Sequence, residues 1–119
     1  VNDPRATAAP SRDYAAKVTK IHDGDTIEVL VDVGFYAFML VVLRFYGINA
    51  PELSTPEGKA SLAYLKTKLK VGDPVLIQTY KYAGDKYGRW LAIINKPGDT
   101  VSINQRMVNS NHAVEYLPK

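Results

Sequence analysis

A chain of 119 residues, 46% hydrophobic and 23% charged, has the length for one core and not for two, so a single globular domain is expected. The formal net charge of +3, from Lys+Arg 15 against Asp+Glu 12, permits a polyanionic partner without demanding one. The absence of cysteine excludes disulfides and thiolate metal sites, His22 and His112 lie too far apart for a zinc pattern, and no apolar run reaches the ~20 residues of a membrane-spanning helix.

Residues 1–13 mix two prolines, alanines and charges without periodicity and read as a loose N-terminal arm, with one domain over 14–119. No secretory signal is visible in the chain. Tyr14–Ile21 forms a first strand, closed by the turn signal His22-Asp23-Gly24. Thr26–Val33 alternates, with Ile27, Val29, Val31 and Val33 on one face and Thr26, Glu28 and Asp32 on the other. Gly34 marks a hairpin into a third strand, Ala37–Tyr46, whose apolar run Ala37–Leu43 reads as buried. A turn centred between Gly34 and Phe35 puts Asp25 opposite Arg44.

Arg44 breaks the apolar run with a permanent charge, Gly47 allows a bend, and Pro51 cannot donate to a ladder. The strand therefore ends here, and the turn delivers a guanidinium, the Asn49 amide and the Glu52 carboxylate. Arginine reads phosphate, and carboxylate and amide oxygens suit a hard cation. An ordinary ion pair between Arg44 and Glu52 explains the same residues equally well.

Thr55-Pro56-Glu57 has the N-cap, N1 proline and first-turn acid of a helix start. Leu62, Leu65 and Leu69 follow on one face, and Gly72 is the expected stop; Lys66, Lys68 and Lys70 read as a solvated face that complements the dipole. Strands are expected over Val75–Tyr80 and Arg89–Asn95, and a short helix over Ser102–Asn109 with Ile103, Met107 and Val108 inward. Ala113–Tyr116 closes the chain as an extended segment. This order predicts a mainly β (α+β) fold: a five-stranded OB-type barrel with a helix between strands 3 and 4 and a short C-terminal helix.

Three local frames stand in order along this plan: Asp23-Gly24-Asp25-Thr26; Arg44 with Asn49-Ala50-Pro51-Glu52; and Asp85-Lys86-Tyr87-Gly88-Arg89. The ordered set, with the helix between the second and third, closely resembles the staphylococcal nuclease (thermonuclease) family over Ala15 to Tyr116. The resemblance implies a calcium-dependent nuclease acting on DNA and RNA, cutting the P–O5′ bond to leave 3′-phosphate ends. An exported monomer without a membrane partner is expected with it.

By that match Asp25, Asn49 and the carbonyl of Ala50 hold the Ca2+ ion, and Glu52 activates the attacking water. Arg44 and Arg89 grip the scissile phosphate, Lys86 and Tyr87 lie near the sugar and terminal phosphate, and Tyr116 lies under the base. Tyrosines in a small barrel also serve simply as core. The chain departs from the family at Asn49, where an aspartate is usual, so one negative charge is missing at the metal. That departure favours an alternative reading, a nuclease-like barrel that binds nucleic acid or protein without cutting. A barrel that binds oligosaccharide or protein, with its charges as structural pairs, is the third reading.

Overall fold

The computed structural model of the protein describes residues 12–80 and 90–116. Five strands form a closed barrel: β1 (Arg12–Asp23), β2 (Thr26–Gly34), β3 (Ala37–Phe45), β5 (Pro74–Tyr80) and β6 (Trp90–Asn95). Their order around the barrel is β1-β2-β3-β6-β5, and β5 pairs back onto β1. Every pairing is antiparallel except β3 with β6, which is parallel over Leu43↔Trp90, Arg44↔Leu91 and Phe45↔Ala92. Helix α1 (Pro56–Lys68) lies between β3 and β5 in the chain, and α2 (Ile103–Asn109) follows β6. The expected OB-type barrel and its two helices are therefore present. Not anticipated was a second, two-stranded sheet, in which β4 (Ile48–Asn49) pairs with β7 (Val114–Glu115).

Alternation builds the interior. Ile27, Val29 and Val31 of β2 point inward, as expected, and meet Leu43 and Phe45 of β3, Val75 and Ile77 of β5, and Ala92 and Ile94 of β6. Leu65 and Leu69 from the α1 segment and Ile103 and Met107 from α2 complete the core. Thr26, on the face of β2 opposite Ile27, Val29 and Val31, is buried as well, at the barrel's end.

Other boundaries move for identifiable reasons. Strand β1 begins at Arg12 and continues to Asp23, because irregularities at Val18/Lys20 and Ile21/Asp23 let it bend with the barrel; the turn is then Gly24-Asp25. The hairpin turn centres on Phe35 and Tyr36, both at positive φ (56° and 60°), with a bulge between Asp32 and Gly34. As a result Thr26, not Asp25, lies opposite Arg44. The run Ala37–Leu43 is not buried throughout: Phe38, Met39 and Leu40 are more than half exposed, since β3 meets β6 only from Leu43 onward. Helix α1 ends at Lys68 rather than near Gly72, because Leu69 is already extended. Gly72 (φ +95°) instead turns the chain into β5, its N–H donating to the Val18 carbonyl at 2.7 Å. No helix among the described residues is long and apolar enough to cross a membrane.

Among the described residues Asn104 is the one buried side-chain amide, and it ties the barrel together near the site. Its Oδ1 accepts from Ile94 N–H at 3.0 Å, and its Nδ2 donates to the carbonyls of Tyr46 (2.9 Å) and Ala92 (3.0 Å). Tyr46 leads into the turn that carries Asn49 and Glu52, so this amide ties that turn to β6 and α2. Asn104→Leu leaves Ile94 N–H and the Tyr46 carbonyl without this partner. At about 1–3 kcal/mol for each of these two groups, the expected loss in urea unfolding is roughly 2–6 kcal/mol. A loss below about 1 kcal/mol would contradict it.

Candidate active site

Residues from four elements converge at the end of the barrel where β1 turns into β2 and β3 runs out. Asp25 occupies the tight turn between β1 and β2 and is buried. Its Oδ1 accepts from the Thr26 hydroxyl at 3.1 Å, and its Oδ2 accepts from the Ala50 N–H at 2.9 Å. The Asp25 backbone is fixed as well, its N–H donating to Asp23 Oδ1 at 3.1 Å and its carbonyl accepting from Phe45 N–H at 2.8 Å. Gly24 makes this turn possible, since a Cβ there would run into Ser61 Oγ on α1 and approach Ala50 Cβ at 3.0 Å.

Arg44 reaches this carboxylate from β3. One guanidinium nitrogen, Nη2, lies 3.3 Å from Asp25 Oδ2 and 2.8 Å from Asn49 Oδ1. The Asp25 and Arg44 side chains are only 10% and 16% exposed, so the pair is sheltered from the screening that weakens surface ion pairs. Burial nevertheless holds the Asp25 carboxyl above its ordinary value of 3.8, helped by the hydrogen bond and negative charge of Asp23. The Ala50 N–H and the Arg44 charge oppose that shift without cancelling it.

Asn49 is exposed and held by its backbone, opposite Val114 in the β4–β7 sheet. A cleft of about 180 Å³ lies beside it, lined by Asn49, Ala50, Pro51, Asn111, His112, Ala113 and Val114. Ser61 Oγ donates to the His112 carbonyl at 2.8 Å, which ties α1 to the far wall of that cleft. Glu52 follows on the same turn. Its side chain is exposed and pairs with no described residue, so the expected alternative of an Arg44–Glu52 ion pair does not form; Arg44 goes to Asp25 instead.

Its relatives are named endonucleases. The chain is 32% identical over 124 residues to Endonuclease YhcR of Bacillus subtilis (strain 168), an alignment that takes in 92% of this chain and 10% of that protein. It is 35% identical over 104 residues to an uncharacterized endonuclease of Escherichia coli O157:H7 and to one of Escherichia coli. Those alignments take in 87% of this chain and 62% of each relative. The chain thus spans less than two thirds of the length of each of these relatives. No family model matches it.

Of the residues singled out in the sequence, the structure brings Asp25, Arg44, Asn49 and Ala50 into contact and sets Glu52 on the same turn. Tyr116 is exposed at the end of β7, its N–H donating to the Gly47 carbonyl at 2.8 Å, which leaves it past Asn49's partner rather than against Asp25. Lys86, Tyr87 and Arg89 lie outside the described residues. Sequence reasoning missed three supports. Asp23 and Thr26 were read as a turn signal, a strand residue opposite the valines and neighbours of Asp25 in its local frame, but neither was given a bond to Asp25, and both bond to it. Asn104 had a signal available, an amide on the helix face shared with Met107 and Val108, where an apolar residue is the ordinary choice.

Proposed function

We propose that this domain belongs to the staphylococcal nuclease family and hydrolyses phosphodiester bonds of DNA and RNA, with calcium as its cofactor. The observation that carries the reading is the junction at Arg44. Two oxygens from separate segments, Asp25 Oδ2 and Asn49 Oδ1, converge on one cationic nitrogen, with the Glu52 carboxylate, paired with no described residue, on the adjoining turn. Oxygens that converge on a positive charge suit a hard cation, and Asp25, Asn49 and the Ala50 carbonyl are the groups that would hold it. Calcium, when bound, supplies positive charge beside the scissile phosphate.

The chain's own residues supply the rest. Glu52, exposed and free of any described cation, orients a water molecule and accepts its proton. Arg44 offers a planar fork to phosphate oxygens, and Arg89 offers a second. Two permanent cations then face the charge that builds on five-coordinate phosphorus. Lys86, Tyr87 and Tyr116 bind the nucleotide around the cut, which leaves 3′-phosphate ends. Export and a monomeric state belong to the same proposal.

The test is cleavage of single-stranded DNA and RNA by the purified chain, with calcium, with magnesium and with excess chelator. Turnover is expected with calcium only, because magnesium demands tighter octahedral geometry and gives up water reluctantly. Turnover in chelator would overturn the metal assignment. One observation favours the non-cutting alternative: Arg44 is already engaged by both oxygens. In that case affinity for single strands falls with salt while no strand is cut.

Asn49 sets a further expectation. With a neutral amide there, Asp25 is the only carboxylate that ligates the ion directly, so the free protein binds calcium weakly. Asn49→Asp tightens calcium binding by roughly ten- to a hundredfold, since ligand charge is a main control on such sites. Calorimetric titration of both proteins measures it, and an unchanged affinity removes Asn49 from the ligand set.

A further inference from the structure

We infer that Thr55 and Gly58, the first residues of the α1 segment, are positioning residues that aim the Glu52 carboxylate; this rests on the reading of Glu52 as the base. The Glu52 carbonyl is held from two directions. It accepts from Thr55 N–H at 2.9 Å and from the Thr55 hydroxyl at 2.6 Å. The same hydroxyl accepts from Gly58 N–H at 3.0 Å, so one oxygen caps the helix and grips the turn at once. On its other side the Glu52 carbonyl rests directly on Gly58, where an added Cβ would collide with the Glu52 O and C atoms and lie 2.9 Å from Leu53 Cα. Pro51, just before Glu52, has its own φ fixed by its ring and so stiffens the chain that enters the turn.

These contacts are unusual in what they fix. The Glu52 side chain is exposed, and no hydrogen bond or ion pair to a described side chain holds its direction. The direction of its Cα–Cβ bond is set by the backbone, and the backbone is set by Thr55 and Gly58. The connection from Glu52 to the helix is only Leu53 and Ser54, so the clamp acts over a very short lever. A general base must sit within hydrogen-bond reach of its water, and a misplacement of about 1 Å can cost 10²-fold in rate. The clamp therefore fixes where the exposed Glu52 side chain leaves the backbone, and with it the region its carboxylate can reach.

The test measures kcat, KM and melting temperature for Gly58→Ala, Thr55→Val and Thr55→Ser, each in the wild-type and in the Glu52→Gln background. In the wild-type background, Gly58→Ala lowers kcat roughly 10- to 100-fold and Thr55→Val about tenfold, with KM within about twofold. Thr55→Ser keeps both roles of the hydroxyl and restores the rate. In the Glu52→Gln background the same substitutions cost less than about twofold, because the group they aim is gone. Thr55→Val also loses the helix cap and melts lower, which Gly58→Ala and the background comparison separate from aim. Equal losses in both backgrounds overturn the inference, as does a full rate in folded Gly58→Ala. If Gly58→Ala fails to fold, the Thr55→Val and Thr55→Ser pair decides by the same criterion. A Glu52→Gln protein with undiminished turnover instead removes Glu52 as the base, and the clamp's catalytic role with it; a wild-type protein that cleaves nothing overturns the nuclease reading itself.

Discussion

Replacing Glu52 by glutamine leaves the melting curve essentially in place while turnover falls by about 10²–10⁴. The two halves of that result have separate causes. Stability is indifferent because the Glu52 side chain is exposed and pairs with no described residue; its backbone contacts to Thr55 and Gly58 do not involve the carboxylate. Turnover falls because an amide is nearly the same shape but cannot take a proton from water at neutral pH. Rate measurements alongside thermal melts decide the matter. A melt that collapses with the rate would return Glu52 to a structural role, and a rate within about tenfold of the original would remove it as the base.

Asp25→Asn has the opposite signature: a large functional loss together with a stability gain in the metal-free protein. The folded chain holds the Asp25 carboxyl above 3.8, chiefly through burial and then through Asp23. A carboxyl raised on folding binds its proton more tightly in the native state than in the unfolded one. Native stability therefore falls as pH rises from about 3.8 through the folded value, and the full cost of the ionised group is present at neutral pH. Asparagine carries no such cost, and its Oδ1 can still accept from Ala50 N–H and Arg44. Metal-free melts should show the variant above the wild type at neutral pH, with the gap closing towards acid. Turnover with calcium should drop by about 10²-fold or more, the scale of several kcal/mol of metal-derived stabilisation. A variant less stable than wild type at every pH would mean that the ion pair with Arg44 outweighs the burial of the charge.

Much of this arrangement was legible in the residues. The alternation of Ile27, Val29 and Val31, the cap Thr55-Pro56 and the inward spacing of Ile103 and Met107 are local signals, and they placed the second strand and both helices. The hairpin even brought Asp25 and Arg44 together, although by a diagonal contact rather than the expected direct pairing. That miss came from the turn: Phe35 and Tyr36 at positive φ give no glycine or asparagine signature, and the adjacent bulge shifts the register by one. The exposed half of β3 was misread because apolar content alone cannot say where a neighbouring strand begins. The β4–β7 pairing, Asn104 and the Gly58 contact depend on segments far apart in sequence or on backbone proximity, and neither has a periodic signature.

The β4–β7 sheet has a consequence for how the domain breathes. It consists of two residue pairs, Ile48↔Glu115 and Asn49↔Val114, extended by the bond from Tyr116 N–H to the Gly47 carbonyl. Val114, Glu115, Tyr116 and Asn49 are all exposed, so few apolar contacts back these hydrogen bonds. Segments of this kind open at a small fraction of the free energy that unfolds the core, and their amides exchange with solvent first. Asp25 and Arg44, anchored in the closed barrel, stay in place through such an opening. The C-terminal strand can therefore lift from Asn49 and close again many times over the lifetime of the folded barrel, and anything that binds across Asn49 and Val114 slows that exchange without touching the core.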